Sequence, residues 1–286
     1  MRLSATRIRT YLQCPRRFRY VYVEQLPTTV TGPLALGKAV HEALRLMYLR
    51  SMETGADLDA DYGIAAFDRL WKQMLAADRP LFKNGEITAA EMYTLARNLI
   101  HGYVLANRKK PPPLVLEFPF EIDWMGHELV GIIDRIDEDG DCLVLTDYKS
   151  GQRKPSRRSL SGDLQLTIYA FAIERIFGKA PARIVYYHLR TQEPLPTWRG
   201  KDEFQTLQTA VLPHVAEAID ACLFPPQYGW ECRMCEFRDR CLAEGPGGIR
   251  QSRKEEPIAH QQVPPLLGRP HGPGRPGLPD RLPQGR

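Results

Sequence analysis

Val130-Gly131-Ile132-Ile133-Asp134-Arg135-Ile136-Asp137-Glu138-Asp139-Gly140-Asp141-Cys142-Leu143-Val144-Leu145-Thr146-Asp147-Tyr148-Lys149 reads as two strands joined by a tight turn. An Asp-Gly pair between two apolar, β-branched runs is a strong hairpin signal. With Asp139 and Gly140 as the turn, Glu138 faces Asp141, Asp134 faces Leu145 and Ile132 faces Asp147. Side chains alternate along a strand, so Asp147 and Lys149 share one face, with Asp134 diagonal to Asp147 at roughly 7–8 Å between Cα atoms. Two carboxylates so placed can converge on one divalent cation, and hard oxygen ligands suit Mg2+ or Mn2+. Lys149 points into the same site, where an ammonium can orient an attacking water or stabilise charge developing on a phosphate. Asp-x-Lys alone is a common surface pattern. Asp134, set among Val130 to Ile133, is what lifts this one above the background. Asp137, Asp139 and Asp141 read as turn residues.

The segments before the hairpin are helical. Ser4 is a candidate N-cap for a helix over Ala5 to Gln13, Pro15 interrupts it, and Arg16 to Tyr22 resumes it. Amphipathic spacing predicts further helices over Leu34 to Met52, Tyr62 to Ala77 and Thr88 to Asn107. The basic-proline run Arg108 to Pro113 ends this part. Strands are predicted over Leu114 to Ile122, His127 to Ile136, Cys142 to Lys149 and Ala182 to Leu189. Helices are predicted over Asp163 to Phe177 and Lys201 to Ala221. Helices, a hairpin, then helix and strand indicate an α/β or α+β domain around a small mixed sheet.

Two further features face the hairpin. Gln165 and Tyr169, spaced i, i+4, look one way from the following helix. His41, within Gly37-Lys38-Ala39-Val40-His41, is ordinarily a half-buried helical histidine, but an imidazole can also complete a Mg2+ or Mn2+ site with two carboxylates.

The 286 residues carry a formal net charge of +5, which suggests nucleic acid only if it is placed well. Most of it belongs to 246–286, which holds 9 Pro, 7 Gly, 7 basic and 3 acidic residues. Such a stretch cannot bury enough apolar surface to offset its ordering entropy, so it is expected to be a disordered Pro/Gly-rich basic tail after one domain spanning 1–245. Basic residues cluster locally at Arg153, Lys154, Arg157 and Arg158, just beyond Lys149, where phosphate contact is expected. Arg108 to Lys110 read as a solvated run. No apolar run approaches a membrane span, and the Arg-containing amino terminus lacks an apolar signal region, so a cytoplasmic location is expected. Disulfides are then disfavoured. Cys232, Cys235 and Cys241 form C-x2-C-x5-C, a metal or cluster signal that needs a fourth ligand. Spacing alone favours Cys222 over the distant Cys14. Cys142 and Cys222 otherwise read as small buried apolar residues.

Three motifs in order, Gly131 to Asp137, Thr146 to Gly151 and Gln165 to Ala170, resemble the PD-(D/E)XK nuclease superfamily, specifically its RecB-like exonuclease branch. Leu3 to Phe18 and Gly37 to His41 resemble it too, so the likeness runs from about residue 3 to 242. It implies a restriction-endonuclease-like core and a metal-dependent DNA exonuclease. His41, Asp134, Asp147 and the backbone carbonyl of Tyr148 would bind Mg2+ or Mn2+, Lys149 would assist the nucleophilic water, and Gln165 and Tyr169 would help hold the site or the DNA. Ile133 stands where the motif's naming proline would be. Iron–sulfur members, similar to AddB-type helicase–nuclease proteins and CRISPR-associated adaptation exonucleases, have one N-terminal and three C-terminal cysteines. On that likeness Cys14, Cys232, Cys235 and Cys241 would hold a 4Fe-4S cluster as a structural staple. The implied setting is DNA repair or recombination, with DNA ends or single strands as substrate and a separate helicase or a CRISPR integrase as possible partners. The rivals are CRISPR spacer acquisition, a non-catalytic DNA-binding or assembly module of the same fold, and a zinc-stapled protein of unrelated function.

Overall fold

The computed structural model describes residues 1–77, 80, 82 and 88–245; the expected tail, 246–286, lies outside the described residues. In chain order the strands are β1 (Arg2–Leu3), β2 (Val115–Trp124), β3 (His127–Asp139), β4 (Cys142–Lys149), β5 (Arg183–His188) and β6 (Glu193–Thr197). The helices are α1 (Ala5–Gln13), α2 (Pro15–Phe18), α3 (Gly32–Thr54), α4 (Ala60–Ala77), α5 (Ala89–Asn107), α6 (Arg157–Ser161), α7 (Leu164–Phe177), α8 (Lys201–Thr206), α9 (Leu212–Asp220) and α10 (Arg238–Glu244). All six strands form one mixed sheet. It runs β1-β3-β4-β5-β6, and β2 pairs with the other edge of β3. β4 and β5 are parallel, joined through α6 and α7, while β3 is antiparallel to β2 and β4.

Helices cover both faces. On one, Leu143 and Leu145 of β4 pack with Ile168 and Phe171 of α7 and Ile8 of α1. On the other, Tyr148 and Tyr187 pack with Val40 and Leu44 of α3 and Ile100 and Tyr103 of α5. The expected cap at Ser4 is present, and Thr88 and Asp163 cap two further helices. Ser4 Oγ accepts from the Arg7 amide, Thr88 and Glu91 form a reciprocal capping box, and Asp163 accepts from the Leu166 amide.

Several expectations need correction. The hairpin turn is Gly140–Asp141, since Asp139 pairs with Cys142 and Ile136, not Asp134, pairs with Leu145. Gly140 takes φ +59, which the turn requires and which an aspartate adopts only with strain. A two-residue register shift keeps every side chain on its face, so the facing argument survives while the partners change. Asp137 is no turn residue, for it binds Arg135 with both oxygens at 2.8 Å. Cys142 and Cys222 are exposed rather than buried. The predicted Lys201–Ala221 helix is interrupted by a π-helical turn at Leu207–Val211, and the resumed Arg16–Tyr22 helix passes into another at Arg19–Val23. β1, β6, α6 and α10 carry too little periodic sequence to be anticipated.

Candidate active site

The site is built where β2, β3 and β4 adjoin and the first turns of α3 reach the sheet. Strand pairing runs Leu116–Arg135, then Phe118–Ile133, and skips the intervening Glu117 and Asp134. Glu117 has φ +47, a conformation that costs a residue with a side chain. Both strands change face at this step. Val115 and Phe118 pack on the same cluster three residues apart, and so do Ile133 and Ile136, where strict alternation would give two. The kink turns Glu117 and Asp134 out of the regular pleat together.

On the other side the β3–β4 ladder ends at Arg135–Thr146. The next step would set Asp134 across from Asp147, closer than the expected diagonal. Instead, Asp134 Oδ2 accepts the backbone N–H of Tyr148 at 2.8 Å and stands 3.5 Å from His41 Nδ1. Asp147 is buried at 1% exposure. Its Oδ2 lies 2.8 Å from Lys149 Nζ, and its Oδ1 accepts from Gln165 Nε2 at 3.2 Å. Gln165 Oε1 accepts from Lys149 Nζ at 3.0 Å, while Gln165 Nε2 also donates to the Tyr169 hydroxyl at 2.9 Å. One amide therefore binds both members of the Asp-x-Lys pair and fixes Tyr169, which makes it a positioning group.

The electrostatics follow from burial and proximity. Burial is the main force that pushes the Asp147 carboxyl up to about 6; Lys149 opposes this and the charge on Asp134 adds to it. Asp134 moves the other way: burial disfavours its charge, but His41 and the Tyr148 N–H outweigh that and hold it below the usual carboxylate range. His41 and Lys149 are raised, because Asp134 and Asp147 respectively overcome their desolvation. Burial and the charge of Asp134 push Glu117 to about 7.

A cleft of about 460 Å³ opens over these groups, lined by Leu34, Lys38, His41, Glu42, Glu117, Tyr148, Lys149 and Ser150. His41, Asp134, Asp147, Tyr148, Lys149, Gln165 and Tyr169, all read from the sequence, thus come together. Glu117 and Lys38 were missed. The only signal for Glu117 is one carboxylate inside the apolar strand Leu114 to Phe120. Arg153, Arg157 and Arg158 are exposed, the last two in the first turn of α6. Lys154 is paired with Glu193, so it is less free for phosphate than expected. Arg108 pairs with Asp57.

The cysteines form a second centre. Cys14, Cys232, Cys235 and Cys241 line one cavity of about 190 Å³, whereas Cys222 is exposed and not among the lining residues. Cys14 sits between α1 and α2 as the C-cap of one and the N-cap of the other. Polar ties bring the two ends of the domain together around it: Tyr11 hydroxyl to Leu223 O at 2.7 Å, the Arg16 amide to Pro225 O at 3.2 Å, and Arg17 to Glu236 at 3.0 Å. Among the described residues, no three His, Cys, Asp or Glu side chains stand close enough together to hold an ion as they are.

A mixed sheet between helices, with a carboxylate on one strand and Asp-x-Lys on the next, defines a restriction-endonuclease-like core. The sequence profile of the PD-(D/E)XK nuclease superfamily matches residues 2–242, and the chain belongs to that superfamily. A stretch of 122 residues is 29% identical to an ATP-dependent helicase/nuclease subunit from Pelotomaculum thermopropionicum (strain DSM 13744 / JCM 10971 / SI). That match covers 39% of this chain and 10% of the relative, so the chain spans about a tenth of the relative's length. In fold it is similar to the crystal structure of a candidate exonuclease from Eubacterium rectale, with TM-score 0.50, 11% identity, and 83% and 86% of the two chains covered. Among the described residues, no helix is long and apolar enough to cross a membrane.

Proposed function

We propose that this protein is a divalent-metal-dependent DNA exonuclease. The observation that carries the reading is the group Asp134, Asp147, Lys149 and Gln165, gathered on one end of the sheet under an open cleft. The donors suit the ion: two carboxylates and an imidazole around Asp134, with Glu117 as a further oxygen, match the hard character of Mg2+ and Mn2+. Asp134 and Asp147 would hold it, with His41 and the carbonyl of Tyr148. A cation held there would lower the pKa of a water and screen the charge on a phosphodiester. Lys149, anchored from two sides by Asp147 and Gln165, presents its ammonium to orient that water and to offset charge on the phosphate. Arg153, Arg157, Arg158 and Lys38 are exposed and would bind the DNA backbone.

The test uses labelled single- and double-stranded DNA with Mg2+ or Mn2+. The wild type degrades it, and Asp134→Ala and Lys149→Ala do not. Equal activity in the variants sinks the reading.

The four cysteines around one cavity support a 4Fe-4S cluster that closes the domain, since four thiolates are the ligand set of a cubane. The match to a helicase/nuclease subunit supports work beside a helicase, and DNA repair or recombination is the setting in which we place it.

A further inference from the structure

Each proposed metal donor has a neighbour tied to one buried network on the opposite face of the sheet. Tyr148 lies between Asp147 and Lys149, and its hydroxyl is 2.8 Å from that of Tyr103. The Tyr103 hydroxyl is in turn 2.7 Å from that of Tyr48. Tyr48 lies on α3, seven residues and about two turns beyond His41. Arg135, next to Asp134, sets its guanidinium 4.6 Å over the Tyr48 ring and is fixed by Asp137 and the Pro111 carbonyl. The rings of Tyr103 and Tyr148 meet edge to face at 5.5 Å, and Tyr187 of β5 packs on both. All four tyrosines and Arg135 are at most 4% exposed. A phenol buried at that depth without a partner is costly, so the three hydroxyls satisfy one another and hold α3, α5 and β4 in one register. A cavity of about 490 Å³ opens beside the network, but Arg135 is matched by Asp137 and Arg183 by Asp139, so its charges single out no ligand.

We infer that this chain of tyrosines sets the spacing of His41, Asp134 and Asp147, and that Tyr103, the middle hydroxyl on a helix bearing none of them, is a positioning residue for the metal site. The inference rests on the metal-dependent reading above. Removing one oxygen at Tyr103 leaves the ring packing intact and takes a hydrogen-bond partner from both Tyr48 and Tyr148, so that each keeps only Arg135.

The experiment titrates Mn2+ into the full chain and follows free ion by electron paramagnetic resonance. It compares wild type, Tyr103→Phe, Tyr48→Phe and Tyr11→Phe, with thermal unfolding alongside. Tyr11 is a control: its buried ring also hydrogen-bonds through its hydroxyl, but to Leu223, far along the chain from the site. Tyr103→Phe should weaken Mn2+ binding by about 10-fold and lower kcat while leaving the KM for DNA unchanged, the scale seen when groups supporting metal ligands are removed. Tyr48→Phe, which breaks only the end of the chain, should do the same more weakly, and it serves if Tyr103→Phe fails to fold. Tyr11→Phe should lower Tm and leave Mn2+ affinity alone. Unchanged affinity in both network variants, or an equal loss in Tyr11→Phe, overturns the inference. Failure of the wild type to bind Mn2+, or binding that survives Asp134→Ala, overturns the metal reading instead.

Discussion

Asp134 Oδ2 accepts the backbone N–H of Tyr148, 2.8 Å away, at the step where the β3–β4 ladder ends. A side chain here does what a strand carbonyl would do, so Asp134 is structural as well as chemical. Asp134→Asn keeps an acceptor and loses the charge; Asp134→Ala loses both. We expect both to lose nuclease activity by about 10²–10³-fold or more, the scale of removing an electrostatic catalytic group. Both variants lose the stabilising charge of Asp134, and Asp134→Ala should lose about 1–3 kcal/mol more than Asp134→Asn by urea unfolding, because it also strands a buried N–H. Equal stabilities would show that the hydrogen bond is dispensable.

Protons should compete with metal. Asp147 at about 6 and Glu117 at about 7 stay protonated in the folded chain at pH values where ordinary carboxyls, at 3.8 and 4.5, are ionised. Their contribution to metal-free stability is therefore greatest at low pH and falls as pH rises from about 4 to 7. The raised His41 acts in the same direction, since its stabilisation fades as pH climbs through its folded value. Asp134, held low, stabilises above its usual 3.8 and loses this only as pH falls through its depressed value. In chelator, Glu117→Gln should gain Tm over the wild type increasingly from pH 5 to 8. The Tm gain on adding Mn2+ to the wild type should grow across the same range, because binding expels these protons. A pH-independent difference between the two proteins argues against the raised Glu117.

Gln165→Ala tests the amide that joins Lys149, Asp147 and Tyr169. It removes a partner from the ammonium and from the carboxylate at once, leaving Lys149 anchored by Asp147 alone. We expect a kcat loss smaller than that of Lys149→Ala, with little change in the KM for DNA. A variant at wild-type rate would reduce Gln165 to packing.

For the thiols, Cys14→Ser should lose iron and the absorbance near about 400 nm that iron–sulfur clusters show after anaerobic purification. Cys222→Ser should retain both. Zinc in place of iron, or the reverse pattern of loss, overturns the assigned cluster.

Gly131 pairs with Phe120, and a β-carbon there would fall 2.5 Å from two carbons of that ring and 3.1 Å from the Tyr169 ring. Gly131→Val should therefore cost about 1–3 kcal/mol by chemical denaturation, as overpacking does, and slow the enzyme through Tyr169.

The elements that bear the site were legible where periodicity and capping agree. The α7 boundaries follow from Asp163 and the apolar run behind it, and β4 from the short apolar run Leu143 to Leu145 just after the turn. Asp134, Asp147 and Lys149 could be placed on one site because a register error of two residues preserves facing. The kink at Glu117 was not legible. A positive φ at a glutamate has no local sequence signal; it is imposed by the strands around it, and it brings Glu117 to the cleft beside Asp134. The tyrosine network was equally hidden, for it joins Tyr48, Tyr103 and Tyr148 across three elements whose individual spacings say only that each is buried.

Cys14, Tyr11 and Arg16 find their partners between residues 223 and 245, and β1 finds its own on β3. During synthesis α1 and α2 therefore emerge before the segment that gives Tyr11, Cys14 and Arg16 their partners, although Ile8 can pack on α7 earlier. They must wait for almost the whole domain to emerge, so closure is the last event in assembly and a long-range one, slow by the rule that distant contacts form late. A chain stalled before residue 223 would lack the Leu223 carbonyl that Tyr11 bonds and the Phe224 ring that Phe18 stacks on, which leaves both open to chaperones and proteases.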